Sequence, residues 1–260
     1  MNVRNSIYWQ KKNEKATKAK AHTEFVDLKY KEKIKNSIKN TLTYTGSISG
    51  LPDTVNNSVP NIIVDEVDSV SAILKYAATG EKTAVLNFAS YKNPGGMFIE
   101  GSTAQEECLC HESFLYNVLK EFPDYYAYNN ARKNRSLYTN RALYSPQVIF
   151  ERDITCVSCD VITCAAPNFS AASEYCKVSR AENSKVLRDR IKFVLDIAEA
   201  NKVEVLILGA YGSGVFGQDA SEVATIFKEY LTSGRYSFKT VSFAIIPGPN
   251  VEPFTKIFNE

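Results

Sequence analysis

The sequence predicts an α/β domain on a mostly parallel mixed sheet, preceded by a helical N-terminal extension. Three observations lead there. From about residue 61, short runs of β-formers alternate with helix-length amphipathic segments. The strand-like runs are apolar throughout, as expected when both faces of a parallel sheet are covered. The first 45 residues are instead Lys-rich, with Ile7, Trp9, Phe25, Val26, Leu28, Ile34 and Ile38 scattered among polar residues.

In chain order, residues 1–45 read as one or two amphipathic helices packed on the body, and 46–260 as the main domain. Residues 46–60, GSISGLPDTVNNSVP, read as a loop. Strands are expected over 61–67, 83–88, 143–150, 157–164, 203–208 and 240–246, with Pro146 suggesting a sheet edge for the third. Helices are expected over 68–79, stopped by Gly80, and over 104–122, 185–200 and 220–231. No internal repeat and no low-complexity block interrupts this alternation.

Composition narrows the class. With 44% hydrophobic and 23% charged residues the chain suits an ordinary globular protein with a sizeable core. Its net charge of +2 points to no polyanion by itself, but residues 1–45 hold eleven Lys/Arg against four Asp/Glu, leaving −5 for the remainder. That surplus reads as a solvated helical face. A polyanionic polymer or nucleic acid is the alternative use of such an arm. No apolar run approaches the roughly 20 residues of a membrane span. The start, MNVRNS, lacks a signal-peptide core, so a cytoplasmic location is expected. The six cysteines are then expected as thiols. Cys156, Cys159 and Cys164 sit in an apolar strand-like run and only two histidines exist, so buried strand thiols are expected there rather than zinc.

Two strands run into glycine-rich loops that lead to helices: 83–88 into 89–101, and 203–208 into 209–217. Ligands of open α/β sheets sit outside the carboxyl ends of strands. Glycine lets backbone N–H groups converge on an anion, and a helix N-terminus adds a favourable dipole, so the two loops suggest a cradle for phosphates. Gly212-Ser-Gly214-Val-Phe-Gly217 matches the dinucleotide fingerprint G-x-G-x-x-G. Three points oppose a nicotinamide-dinucleotide reading. Only one helix and one strand follow it, the stretch at 234–240 (GRYSFKT) lacks the required acidic residue, and the other loop stays unexplained.

The chemistry concentrates between residues 87 and 107. Thr103-Ala-Gln-Glu106 has capping-box spacing, which would make Thr103 the N-cap, Glu106 N3 and Glu107 N4. Glu106 then has a structural role available. Glu107, one place on, should project from another side of the first turn toward the strand-end cleft; plain solvation is its alternative reading.

These residues resemble a family. Pro94-Gly95-Gly96, then after Met97 seven residues from Phe98 to Ala104, then Gln105-Glu106-Glu107 are similar to the signature of bacterial (microbial)-type poly(ADP-ribose) glycohydrolases in the macrodomain superfamily: three glycines, six to eight residues, Gln-Glu-Glu. The resemblance continues through 137–148 (LYTNRALYSPQV) and 209–216 (GAYGSGVF), spanning about 60–246. It implies a macrodomain-like three-layer α/β/α fold. It also implies an ADP-ribosyl glycohydrolase that hydrolyses a ribose O-glycosidic bond in poly(ADP-ribose) or ADP-ribosylated protein.

The resemblance implies a role for each matching residue. Glu107 would be the general acid, and Glu106 would bind and orient the ribose at the scissile bond. Gly95 and Gly96 would line the diphosphate and distal ribose, with Asn93 contacting that ribose and Gln105 among the binding residues. Gly212, Ser213, Gly214 and Val215 would form the second phosphate loop. Phe216 would pack against the nucleotide, or else anchor the loop as a core residue. No metal and no cofactor are implied. The expected partner is ADP-ribose, free or on a protein or polymer, taken up by a monomer with neither membrane nor nucleic acid.

Met97 stands at the third glycine of the signature. Its side chain enters where backbone approaches ligand, and it disfavours positive φ. It would narrow the entry of a polymer's next unit, favouring terminal or mono-ADP-ribosyl groups, or weaken binding outright. Cleavage of a ribose acetal needs a proton on the leaving oxygen, and a glutamate acid works best with a pKa near the operating pH. A helix first turn lowers that pKa, whereas burial and the substrate's diphosphate raise it. A silent ADP-ribose reader is the second reading, motivated by Met97, and an NAD-linked oxidoreductase the third.

Overall fold

The computed structural model describes residues 3–48, 51 and 59–259, with α1 side chains described from Trp9 onward. Among the described residues the chain forms α1 (Val3–Lys29), α2 (Lys31–Asn40), β1 (Leu42–Thr45), β2 (Asn61–Asp65), α3 (Ser69–Ala77) and β3 (Thr83–Phe88). Three short helices follow, α4 (Gln105–His111), α5 (Leu115–Leu119) and α6 (Pro123–Ala131), and then the hairpin β4 (Arg141–Arg152) and β5 (Thr155–Cys164). The chain closes with α7 (Phe169–Cys176), α8 (Arg180–Ala200), β6 (Val205–Leu208), α9 (Ala220–Leu231), β7 (Thr240–Ala244) and α10 (Val251–Asn259). The loop expected over 46–60 lies largely outside the described residues.

The strands form one mixed sheet in the order β1-β4-β5-β3-β6-β7-β2. β5, β3, β6, β7 and β2 run parallel, and β4 is antiparallel to both its neighbours. Strand periodicity sorts the side chains into two cores. Ala84 and Leu86 of β3 face α8, α9 and α10 through Ile191, Val194, Phe227 and Phe254. Val85 faces the other way, onto Ile73 of α3, Leu109 of α4, Leu115 of α5, and Val26 and Ile34 of α1 and α2. Each such side chain contributes about 1.5–3 kcal/mol by leaving water. Helices therefore cover both faces, giving the three-layer macrodomain-like fold. No helix among the described residues is long and apolar enough to cross a membrane.

Three local expectations change. The helix expected over 104–122 is broken, because Glu112 leaves helical geometry to serve β4. Its carbonyl accepts from Glu151 N (2.8 Å), and its carboxylate pairs with Arg152. Pro146 marks an edge only for part of its strand: β1 pairs with Arg141–Tyr144 and covers that end of β4, leaving Pro146 just beyond its register. The proline sits where the β4–β5 register shifts between Ser145 and Val148, a bulge that tolerates its missing N–H. Of the three cysteines expected as buried thiols, Cys159 and Cys164 are buried but Cys156 is exposed; all six are free.

Arg190 of α8 braces the junction of these layers. It is fully buried, and among the described residues its partners are Asn140 Oδ1 (2.7 Å) and the carbonyls of Ala165 and Leu137, with no carboxylate. Arg190→Met keeps apolar bulk but leaves two carbonyls without donors, each worth about 1–3 kcal/mol when buried. The variant is expected to lose about 3 kcal/mol. Denaturant unfolding should show a lower midpoint with an unchanged slope.

Candidate functional site

β3 and β6 are hydrogen-bonded neighbours although 122 residues separate Thr83 from its partner Val205. The chain leaves β3 toward α4 on one face and leaves β6 toward α9 on the other. Connections diverging from adjacent parallel strands open a crevice at their carboxyl ends. The loop after β6 borders it directly, and the chain after β3 reaches it through Phe88, Ala104 and Gln105.

The first loop is shaped by two carboxylates. Glu106 is 3% exposed and Glu107 6% exposed. Glu106 Oε2 accepts from Ser90 N (2.6 Å), and Oε1 accepts from Asn87 Nδ2 (3.2 Å). Glu107 Oε1 accepts from Met97 N (2.9 Å), whereas its Oε2 is buried with no hydrogen-bond partner among the described residues. Gly95 and Gly96 both have positive φ, at 65° and 62°. A Cβ on Gly96 would lie 2.5 Å from Glu107 Oε1 and 3.1 Å from Glu106 Oε2, so the loop can press on the pair only where no side chain intervenes. Asn93 closes the turn with its carbonyl, which accepts from Gly96 N (3.1 Å); its side chain is exposed.

The expected capping box does not form. The N-cap is Ala104, which places Glu106 at N2 and Glu107 at N3. Both carboxyls turn away from the helix start and into the loop, so Glu106 does not close a box. Burial pushes the Glu106 carboxyl up to about 8; the Ser90 N–H and the Asn87 amide oppose this, and the neighbouring Glu107 adds to it. At Glu106 burial outweighs the helix dipole. Gln105 borders the crevice, but its amide is already engaged. Its Oε1 accepts from Phe88 N (2.9 Å), and its Nε2 donates to Leu86 O (3.0 Å) and Ser69 Oγ (3.1 Å), extending the bonding of β3 into the helix start.

The second loop closes on itself through Ser213 N to Ala210 O, Gly217 N to Gly214 O and Gln218 N to Gly212 O (3.0–3.1 Å). Backbone N–H groups of Gly214, Val215 and Phe216 donate to no acceptor among the described residues. Gly212 has φ of 78°, and a Cβ there would meet Gln218 Cγ at 2.8 Å and Ala166 Cβ at 2.9 Å. A cavity of about 270 Å³ lies between Phe88, Ala104 and Gln105 on one side and Gly212, Gly214, Val215 and Phe216 on the other. Tyr138 joins the loops: its ring stacks on Tyr91 (3.7 Å between centroids) and meets Phe216 edge-on (6.2 Å). No group of three or more His, Cys, Asp or Glu suited to a metal ion occurs among the described residues.

The family described as Microbial-type PARG, catalytic domain, matches residues 10–153, just over half of the sequence. The chain belongs to that family. It is a hydrolase of the poly(ADP-ribose) glycohydrolase type. Solved structures agree over most of the length. A poly(ADP-ribose) glycohydrolase from Thermomonospora curvata is 28% identical with a TM-score of 0.82, and the match covers 95% of this chain and 100% of that one. The same enzyme bound to the inhibitor ADP-HPD gives 28% identity, a TM-score of 0.81 and coverage of 94% and 99%. The poly(ADP-ribose) glycohydrolase of Deinococcus radiodurans in complex with ADP-ribose is 30% identical, with a TM-score of 0.77 and coverage of 86% and 96%. Among curated protein sequences none matches significantly.

Within this glycohydrolase the third signature position behaves unlike a glycine site. Met97 is not among the residues with positive φ, and its side chain is 40% exposed, so methionine fits there without strain. Sequence reasoning missed Asn87, the only strongly polar residue of the run AVLNF, which is wholly buried beside Glu106. That interruption of an apolar strand was the available signal. Tyr91 and Tyr138 gave none.

Glu106 makes stability depend on pH in a definite direction. Unfolded, a glutamate ionises near its ordinary value of 4.5; folded, this one ionises near 8. Its contribution is therefore full below 4.5 and is lost as pH rises toward about 8. In Glu106→Gln, whose new amide can donate to the partnerless Asn87 Oδ1, the unfolding midpoint should vary less across that window than in the parent protein. Parallel pH curves for the two proteins would exclude Glu106 as the titrating group.

Proposed function

We propose that the enzyme grips ADP-ribose between loops 94–97 and 212–216 and hydrolyses the ribose O-glycosidic bond holding it to a polymer or protein. The observation that carries this reading is the asymmetry of the Glu106–Glu107 pair. Both oxygens of Glu106 have partners, whereas Glu107 has one oxygen fixed by Met97 N–H and the other buried without a donor or acceptor. Such an oxygen costs about 1–3 kcal/mol, which a ligand atom beside it would offset.

Glu107 is accordingly the general acid. The bond from the ribose carbon to the leaving oxygen breaks, and that oxygen takes the proton from Glu107. A water oxygen bonds to the carbon, and one of its protons returns to Glu107. Glu106 orients the ribose from a position fixed by Asn87 and Ser90. Gly95 and Gly96 admit the diphosphate and distal ribose close to backbone, with Asn93 and Met97 at the rim. The N–H groups of Gly214, Val215 and Phe216 supply the second half of the anion site, shaped by Gly212 and Ser213. Phe216, half-buried and walling the cavity, lies against the nucleotide. In this reading residues 46–260 are the catalytic domain and 1–45 a helical extension, of which Leu42–Thr45 add a strand to the sheet.

Glu107→Gln should leave ADP-ribose affinity within a few fold, because the amide retains an oxygen for Met97 N–H. Release of ADP-ribose from modified protein or polymer should fall by on the order of 10²–10⁴. Turnover at the parent rate with intact binding would refute the assignment.

A further inference from the structure

The basic residues of α1 are not spread evenly around solvent. A second cavity, of about 450 Å³, is walled by Lys11, Lys12 and Lys15 and by Gly101, Ser102, Thr103 and Ala104. The helix is set hard against this loop: a Cβ on Gly101 would lie 2.2 Å from the Lys12 carbonyl oxygen and 2.9 Å from Ala16 N. Ala104 also walls the crevice, Gln105–Glu107 follow it directly, and Ser102 N donates to Met97 O at 3.1 Å. The basic cavity and the crevice therefore share Ala104 as a wall, one residue before Gln105–Glu107. None of the three lysines pairs with a carboxylate among the described residues. The nearest acid on the same helix, Glu14, accepts from Gln10 instead (3.3 Å). Lys12 Nζ lies 5.5 Å from the centroid of Trp9, whose side chain is 55% exposed.

We propose that this cavity is a subsite for a second diphosphate, that of the polymer unit carrying the leaving hydroxyl. The inference rests on the reading of Glu107 given above. If the scissile bond lies at Glu107, the departing unit begins there, and in poly(ADP-ribose) that unit brings its own ribose, adenine and diphosphate. Three clustered ammonium groups suit a diphosphate. A single ADP-ribosyl group on protein brings no second diphosphate. The subsite thus selects polymer over mono-modified protein.

The test replaces Lys11, Lys12 and Lys15 together by Gln in the full chain. For poly(ADP-ribose), kcat/KM should fall on the order of tenfold at low salt, with the deficit shrinking as salt is raised. Release from singly modified protein and affinity for free ADP-ribose should stay within about twofold of the parent, since this term acts only on the second unit. Lys→Arg at the three positions should restore polymer turnover. Equal losses on both substrates, or none on polymer, would overturn the proposal. So would an oligonucleotide bound through these lysines while polymer turnover is unaffected. Should the parent enzyme cleave neither substrate, the reading of Glu107 fails on its own. Calorimetry with an ADP-ribose oligomer against monomeric ADP-ribose then decides the subsite: an oligomer advantage lost in the triple variant supports it, and equal affinities overturn it.

Discussion

Two carboxyl groups removed from water at one point dictate the form of this site. A buried carboxylate must take up a proton or collect donors. Glu106 does the first, its carboxyl held near 8 by burial, and both residues do the second, through backbone N–H groups of the preceding loop. That requirement runs outward. The loop must bring Ser90 and Met97 to the carboxyls, so it bends at Asn93. The closest approach falls at Gly96, where a side chain would collide with both carboxyls, so glycine is needed there. Asn87 must interrupt an apolar strand to face Glu106. The glycines, the buried asparagine and the glutamates form one structural unit.

The sheet determines where that unit can act. β3 and β6 lie side by side at the centre, and their onward connections go to opposite faces, which opens a crevice at their carboxyl ends. Buried polar side chains hold its walls at fixed spacing. Gln105 ties the end of β3 to the starts of α3 and α4. Arg190 ties α8 to Asn140, Leu137 and Ala165, beside the ring of Tyr138 that bridges the loops. A mobile wall would leave the partnerless Glu107 oxygen open to bulk water. A braced one keeps it in a low-dielectric setting, where a single ligand contact has the largest effect.

The fold was legible where hydrophobic period and length agreed. β3 and α9 match their expected residues, and the central strands differ only at their ends. It was less legible where tertiary contacts override local preference. Thr103 has the spacing of a cap, yet the glutamates are drawn into the loop and Ala104 begins the helix. Glu112 belongs to a helical run by propensity, yet β4 claims its carbonyl. Pro146 reads as an edge signal for its whole strand because the four-residue strand β1, too short to carry a periodic signal, could not be foreseen beside Arg141–Tyr144. In the site, the glycines and glutamates stood out as a pattern. Tyr138 did not, because its part comes from stacking across loops distant in sequence.

The second glycine loop shows why a matching pattern need not carry the mechanism associated with it. In a dinucleotide fold the pyrophosphate lies on the N-terminus of the helix after the glycines. Here that N-terminus is occupied, because Asp219 accepts from Ser221 N (2.9 Å) and Glu222 N (3.0 Å) and places a carboxylate where a phosphate would sit. The dipole of α9 is thus answered within the protein and does not add to the cradle. What remains for an anion is the turn itself: N–H groups of residues 214–216, two residues short of Asp219. Gly212 and Gly217 have positive φ and supply the bends that orient those groups, while Gly214 has open space around it. The glycines serve the curvature of a self-closed loop, and under the proposed function the crevice would take its anion from the side of that loop rather than from the axis of a helix.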